Sequence, residues 1–125
     1  MIQPQTVLRV MDNSGAKTAR CIKVLGGSFT RTGSVGSLVV LSIQKVRKNQ
    51  AKTRMKRGEV FLGVVVQVKK KLSRPDGHFL GFGTNAVILL SQQRKPVASR
   101  ILGPVTRELR TRQLLKVGLM SSGIL

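Results

Sequence analysis

The sequence predicts a mainly β protein: a small closed five-stranded antiparallel β-barrel with a projecting β-ribbon or loop and one or two short C-terminal α-helices. Three observations lead there. Apolar and polar residues alternate at period two along 37–46 and 59–71. Five β-rich runs separated by turn residues fit within roughly the first 95 positions. After residue 103 the texture changes to helical spacing. Closing so many short strands into a barrel removes the edges that would otherwise pair between molecules.

The first run, Thr6 to Met11, ends at Asn13-Ser14-Gly15, and the second, Thr18 to Leu25, stops at Gly26-Gly27; both boundaries are turn chemistry. In "SLVVLSIQKV" Val39, Leu41 and Ile43 take one face, with Ser42 and Gln44 on the other. "EVFLGVVVQVKKK" sets Val60, Leu62, Val64, Val66 and Val68 against Gln67, Lys69 and Lys71, the pattern of a half-buried strand with a basic outer face. Arg74-Pro75-Asp76-Gly77 suits a type I turn, with Pro second and Gly fourth. Asn85 to Leu90 supplies the fifth run. Pro104 then opens a helix, Val105 and Leu109 share a face, and Glu108 precedes Arg112 by four residues, the favourable order for an ion pair. No repeat or linker divides the chain, so residues 1–125 form one domain, with the barrel over about 1–95 and the helical segment over about 100–125.

Charge narrows the function. The 125 residues carry 23 Lys and Arg against four acids (Asp12, Glu59, Asp76, Glu108), a net charge of +19, far beyond what solubility requires. A polyanionic partner is implied. The longest apolar stretch, Val60 to Val68, is too short to span a bilayer and contains Gly63 and Gln67, so no membrane partner is expected. The opening "MIQPQTVLRVMDNSG" lacks the features of a signal peptide or an amphipathic presequence. Eighteen of the 23 cations fall in three segments: Lys45 to Arg57, Lys69 to Arg74 and Arg94 to Lys116. The first lies between two strands, where its side chains can reach phosphates without belonging to the core. In the last, Arg107, Arg110 and Thr111 form a polar stripe opposite Val105 and Leu109.

The residues absent from the chain define the mode of binding. Single-strand binders stack bases on aromatic rings, and this chain has no Trp, no Tyr and four Phe; Phe61 lies within the long strand and Phe79 and Phe82 flank Gly81, so at least two of the four read as packing residues. Contact with phosphate and sugar, reading the shape of a folded nucleic acid, is what remains. The rival is a free single-strand module of the oligonucleotide-binding type, which would need aromatics such as Phe29 and Phe61 side by side on a basic face. An enzyme is the weakest reading: His78 is the only histidine, and its one neighbouring acid, Asp76, sits across Gly77 in a turn. "GFGTNA" (81–86) has dinucleotide-motif spacing, but a strand follows it where the motif requires a helix. The single cysteine, Cys21, excludes an internal disulfide or a multi-cysteine zinc site and reads as a small buried apolar residue. No cofactor or metal is expected.

"DNSGAK" (12–17), "CIKVLGG" (21–27), "RPDG" (74–77), "NA" (85–86) and above all "GPVTRELR" (103–110) resemble, in order along the whole chain, the large-subunit ribosomal protein family numbered fourteen in its bacterial and organellar form. The resemblance implies the same barrel, ribbon and terminal helices bound to large-subunit rRNA. It also implies bridges to small-subunit rRNA at the subunit interface and packing beside the large-subunit proteins numbered three and nineteen. The C-terminal side of this family receives a ribosomal silencing factor, and the matching positions are Ser99, Arg100 and Lys116, Ser99 replacing the usual Thr. The loop at 47–57 has gained cations, Gly83 stands where Asp is common, and the tail lacks the usual acid and proline. Such drift toward base suggests a divergent organellar copy, in a mitochondrial matrix ahead of a plastid or a bacterial cytoplasm. Charge density and resemblance together mark the rRNA-binding candidates: Lys17, Arg20, Lys23 and Arg31 in the first third; Arg47, Lys48, Lys52, Arg54, Lys56 and Arg57 in the loop; Lys69, Lys71 and Arg74 after the long strand; and Arg107 and Arg110 near the end. Lys52, Arg54, Lys56 and Arg57 are the foremost of them.

Overall fold

The alternating runs close on themselves in the computed structural model, which describes residues 1–27, 30–47, 55–111 and 115–125. Strands β1 (Val7–Val10), β2 (Ala16–Val24), β3 (Leu38–Val46), β4 (Val60–Gln67) and β7 (Ala86–Leu90) form a closed barrel in the order β1-β2-β3-β4-β7. Between β4 and β7 the chain makes a separate two-stranded hairpin of β5 (Leu72–Ser73) and β6 (Phe79–Leu80). Two short helices follow, α1 (Glu108–Thr111) and α2 (Leu115–Met120).

Four barrel seams are antiparallel, and the closing seam, β1 with β7, is parallel. Parity requires this. When five strands alternate up and down, the first and last run the same way, so one seam of a closed barrel must be parallel. Backbone bonds from Arg9 N–H to Asn85 O (3.0 Å) and from Met11 N–H to Val87 O (2.9 Å) hold it.

Cross-strand register fixes which side chains face inward. Leu8 opposes Ala19, which opposes Ile43; Cys21 opposes Leu41, which opposes Phe61. With Val10, Val39, Val65, Val87 and Leu89 they fill the interior, and all but the half-buried Phe61 are fully buried. Burial pushes the Cys21 thiol up, against a smaller lowering by a backbone hydrogen bond at Lys23, consistent with a packing residue. The alternation expected in β3 is present.

In β4 the expected face is reversed. Val60 is 61% exposed, and Val60 lies across from Ser42, itself opposite Arg20, itself opposite the exposed Val7. The inward set is therefore Phe61, Gly63 and Val65. Gly63 hides this in the sequence: a Cβ there would stand 2.4 Å from Leu41 Cδ1 and 3.0 Å from Ile88 O, so the inward row has a gap filled by its neighbours. The strand also ends at Gln67, before the lysines, and from Val64 onward both of its faces are buried.

A C-terminal cover accounts for that burial. Leu102 N–H donates to Met11 O (2.8 Å), Gln67 Nε2 donates to Pro104 O (2.9 Å), and Ile101 forms a bridge with Asp12. Gly103 lies so close to Met11 that a Cβ would meet Met11 Cε at 2.8 Å. Val105 and Leu109 are both buried, but not as one helical face: the helix expected from Pro104 begins only at Glu108, because Val105 pairs in parallel with Ile124 instead. The DNSG turn anchors this cover. Buried Asp12 accepts Leu89 N–H at Oδ2 (3.0 Å) and Ser14 N–H at Oδ1 (3.1 Å). Asn13 Oδ1 accepts the N–H groups of Ser99 and Arg100, each at 3.1 Å.

The close approach at Gly63 makes a direct prediction. Gly63→Ala should lower the stability of the purified protein by about 1–3 kcal/mol, read as a lower urea midpoint, and Gly63→Val should lower it further; an unchanged midpoint would show that the barrel wall does not close there as described.

Candidate nucleic-acid interface

The C-terminal cover leaves the other half of the barrel's outer surface bare, and the strands place Arg9 and Arg20 on it by alternation and Lys45 at a shift in the β2–β3 register. In β1, inward Leu8 and Val10 turn Arg9 outward; in β2, inward Ala19 and Cys21 turn Arg20 outward. Register then aligns Arg9 with Thr18 and Thr18 with Lys45 across three strands. Arg9, Arg20 and Lys45 thus share one exposed face, interspersed with exposed Val7, Ile22 and Val60. Arg9 and Lys45 were not among the candidates from sequence; the signal for Arg9 was available in the buried residues on either side of it. Lys17 and Lys23 are exposed next to the irregularities in the β2–β3 register, and Arg31 is exposed in the following loop.

The β3–β4 connection starts from a defined base, where Ile43 N–H donates to Glu59 O (3.0 Å) and Gly58 N–H to Ile43 O (2.8 Å). Gly58, at φ +90°, makes the turn back into β4. Lys56 and Arg57 are exposed beside it; Arg47 is half-buried, and its N–H donates to Gly15 O (2.9 Å). Lys48, Lys52 and Arg54 lie outside the described residues, as do Phe29, Arg112 and the side chain of Arg110.

Lys69, Lys70 and Lys71 are all exposed past the end of β4. Arg74 differs from them. Its side chain is only 16% exposed, Nε donates to Glu108 Oε1 (2.9 Å), Nη2 donates to Glu108 Oε2 (3.4 Å), and Nη2 also donates to Leu125 O. The guanidinium ties the hairpin to α1 and the chain end, engaging Glu108 from 34 positions away; the Glu108–Arg112 pair expected from the sequence involves a residue outside those described. Burial alone would push the Glu108 carboxyl up; the Arg74 hydrogen bond and its own backbone bonding outweigh it and hold the group below the ordinary glutamate range.

Two of the remaining acids are spent similarly. Asp12 is buried on backbone donors, and Asp76 accepts His78 N–H (3.1 Å) with its Oδ2 2.9 Å from His78 Nδ1. Hydrogen bonds from His78 hold the Asp76 carboxyl low. The pair stands exposed at the tip of the β5–β6 hairpin, away from any enclosed site. Among the described side chains, Arg74–Glu108 is the one ion pair between a Lys or Arg and a carboxylate, and no three His, Cys, Asp or Glu group together. Among the described residues, no helix is long and apolar enough to cross a membrane.

On the covered side, Ser99 Oγ accepts Asn13 Nδ2 (3.0 Å), while the side chains of Arg100, Arg107 and Lys116 are exposed. Ile101 N–H donates to Met120 O (3.1 Å), joining the segment that carries Ser99 and Arg100 to the helix that carries Lys116. Phe61 faces the core with Leu41, which removes it from any stacking surface, whereas Phe79 is 67% exposed.

The Glu108–Arg74 pair carries a pH dependence. Because the folded carboxyl is held low, its contribution is present above the unfolded glutamate value near 4.3 and is lost as pH falls through the folded value. Glu108→Gln should therefore cost about 1 kcal/mol near neutrality, with the gap from wild type closing in acid; a gap that stays constant with pH would contradict the pairing.

A family model described as ribosomal protein L14p/L23e matches residues 1–125, the entire chain.

Proposed function

The chain belongs to the ribosomal protein L14p/L23e family, and from that premise we propose that its cationic surface binds large-subunit rRNA through phosphate and shape contacts and contributes to bridges with small-subunit rRNA. Family membership makes it a structural constituent of the large ribosomal subunit, located in the ribosome and structural rather than catalytic. The finer assignment rests on one observation: the described cations, Arg74 apart, have no carboxylate to neutralise them. Phosphates are the counter-charge that an rRNA fold supplies in quantity.

Two surfaces divide the work in this reading. Arg9, Arg20 and Lys45 on the bare barrel wall, with Lys56, Arg57 and the other cations of segment 47–57, take phosphates. Lys69 and Lys71 extend the same chemistry past β4. Arg74 is left out, since its guanidinium is already engaged by Glu108 and Leu125 O through Nε and Nη2. The Ser99–Arg100 segment with Lys116 is the face for a ribosomal silencing factor, and the exposed apolar residues Val7, Ile22 and Val60 suit contact with neighbours such as the large-subunit proteins numbered three and nineteen. The excess of base over acid favours an organellar ribosome, in the mitochondrial matrix.

The rival single-strand module loses its support with Phe61 turned inward. Charge reversal at Arg54 and Arg57 tests the segment directly. Arg54→Glu with Arg57→Glu should reduce incorporation into large subunits several-fold on sucrose gradients, while the free protein keeps its melting temperature; unchanged incorporation would refute the segment's role.

A further inference from the structure

The β5–β6 hairpin carries an aromatic residue, Phe79, that the fold leaves two-thirds exposed. In the hairpin register Phe79 opposes Ser73, and Leu72 opposes Leu80 on the other face. The two leucines are half-buried and Phe79 is 67% exposed, so the hairpin rests on its leucine side and presents Phe79 outward. Nothing bulky stands beside the ring. Its cross-strand partner is a serine, and the residues two before and two after it are Gly77 and Gly81. Gly77 adopts φ +88° to make the turn, while a Cβ on Gly81 would meet Lys71 Cγ at 3.4 Å, which puts the Lys71 stem on the same face as the ring. The hairpin's one carboxylate, Asp76, is held by His78 at the tip.

A flat, uncovered aromatic face with an ammonium group alongside it matches one nucleotide: the base on the ring, its phosphate on the amine. A protein apolar patch fits poorly, because within the hairpin no other apolar side chain shares this face and a lone phenyl among glycines, serine and lysine offers little area to bury. We propose that Phe79 stacks on a single unpaired rRNA base while Lys71 takes that nucleotide's phosphate, so that the hairpin adds base contact to an interface otherwise built on backbone charge. This rests on the rRNA-binding reading above.

The test uses intact large subunits containing the chain. Short-wavelength ultraviolet irradiation followed by peptide mass spectrometry should yield a nucleotide adduct on Phe79. In parallel, Phe79→Leu should weaken retention of the chain during salt washes, corresponding to an affinity loss of about 5- to 100-fold, whereas Phe79→Tyr should behave as wild type. Because the ring is exposed, both variants should melt as wild type does. Nucleotide adducts on the lysines of 69–71 with none on Phe79, or Phe79→Leu subunits that release the chain at the wild-type salt concentration, would overturn the stacking while leaving the phosphate reading intact. A Phe79 adduct to protein instead of RNA would overturn it as well. No nucleotide adduct anywhere on the chain would remove the rRNA reading and this inference with it.

Discussion

The way this protein spends its few carboxylates shapes its surface chemistry. Asp12 is buried to hold Leu89 and Ser14, Glu108 clamps Arg74 to the chain end, and Asp76 caps the hairpin tip. Each of these three works on local architecture, and only one of them engages a Lys or Arg. Two unit charges about 7 Å apart repel by about 0.6 kcal/mol in water and by about 2 kcal/mol at an effective dielectric of 20, and such terms accumulate over a net charge of +19. The free protein is therefore built with an electrostatic deficit that, in the proposed reading, a phosphate scaffold would remove.

The C-terminal segment decides where that deficit is displayed. By hydrogen bonding to Met11 and Gln67 and forming a bridge with Asp12, it turns the outside of β4 and β7 into a second buried layer. The walls of β1, β2 and β3 stay open, and alternation there puts every second side chain in solvent. One barrel thus has an apolar half that carries the terminal helices and a cationic half free to meet RNA. The Asn13 side chain, accepting from Ser99 and Arg100, keeps the segment between the halves in place.

Legibility in the sequence followed from how one-sided each element is. β3 could be read because Ser42 and Gln44 contrast with Val39, Leu41 and Ile43. In β4 the same rule pointed to the wrong face, because the C-terminal cover makes both sides apolar and Gly63 removes the side chain that would have marked the interior. The two-residue strands β5 and β6 are too short to carry a period, so only their turn was visible. Cation density located Lys56, Arg57 and Lys69–Lys71 on the surface, yet it also drew in Arg74, whose partner is remote in the chain, and passed over Arg9, which stands alone between two buried residues. Phe79 looked like a packing residue because aromatic content says nothing of which face a hairpin turns outward.

The central claim is that uncompensated cations on a folded barrel are matched to RNA phosphate. Titration of the purified protein against a fragment of folded large-subunit rRNA across a salt series tests it most directly. With roughly eight phosphates neutralised, log K should fall against log salt with a slope of about −6 to −7. A slope near zero would contradict the account, since affinity would then come from contacts in which these charges take no part.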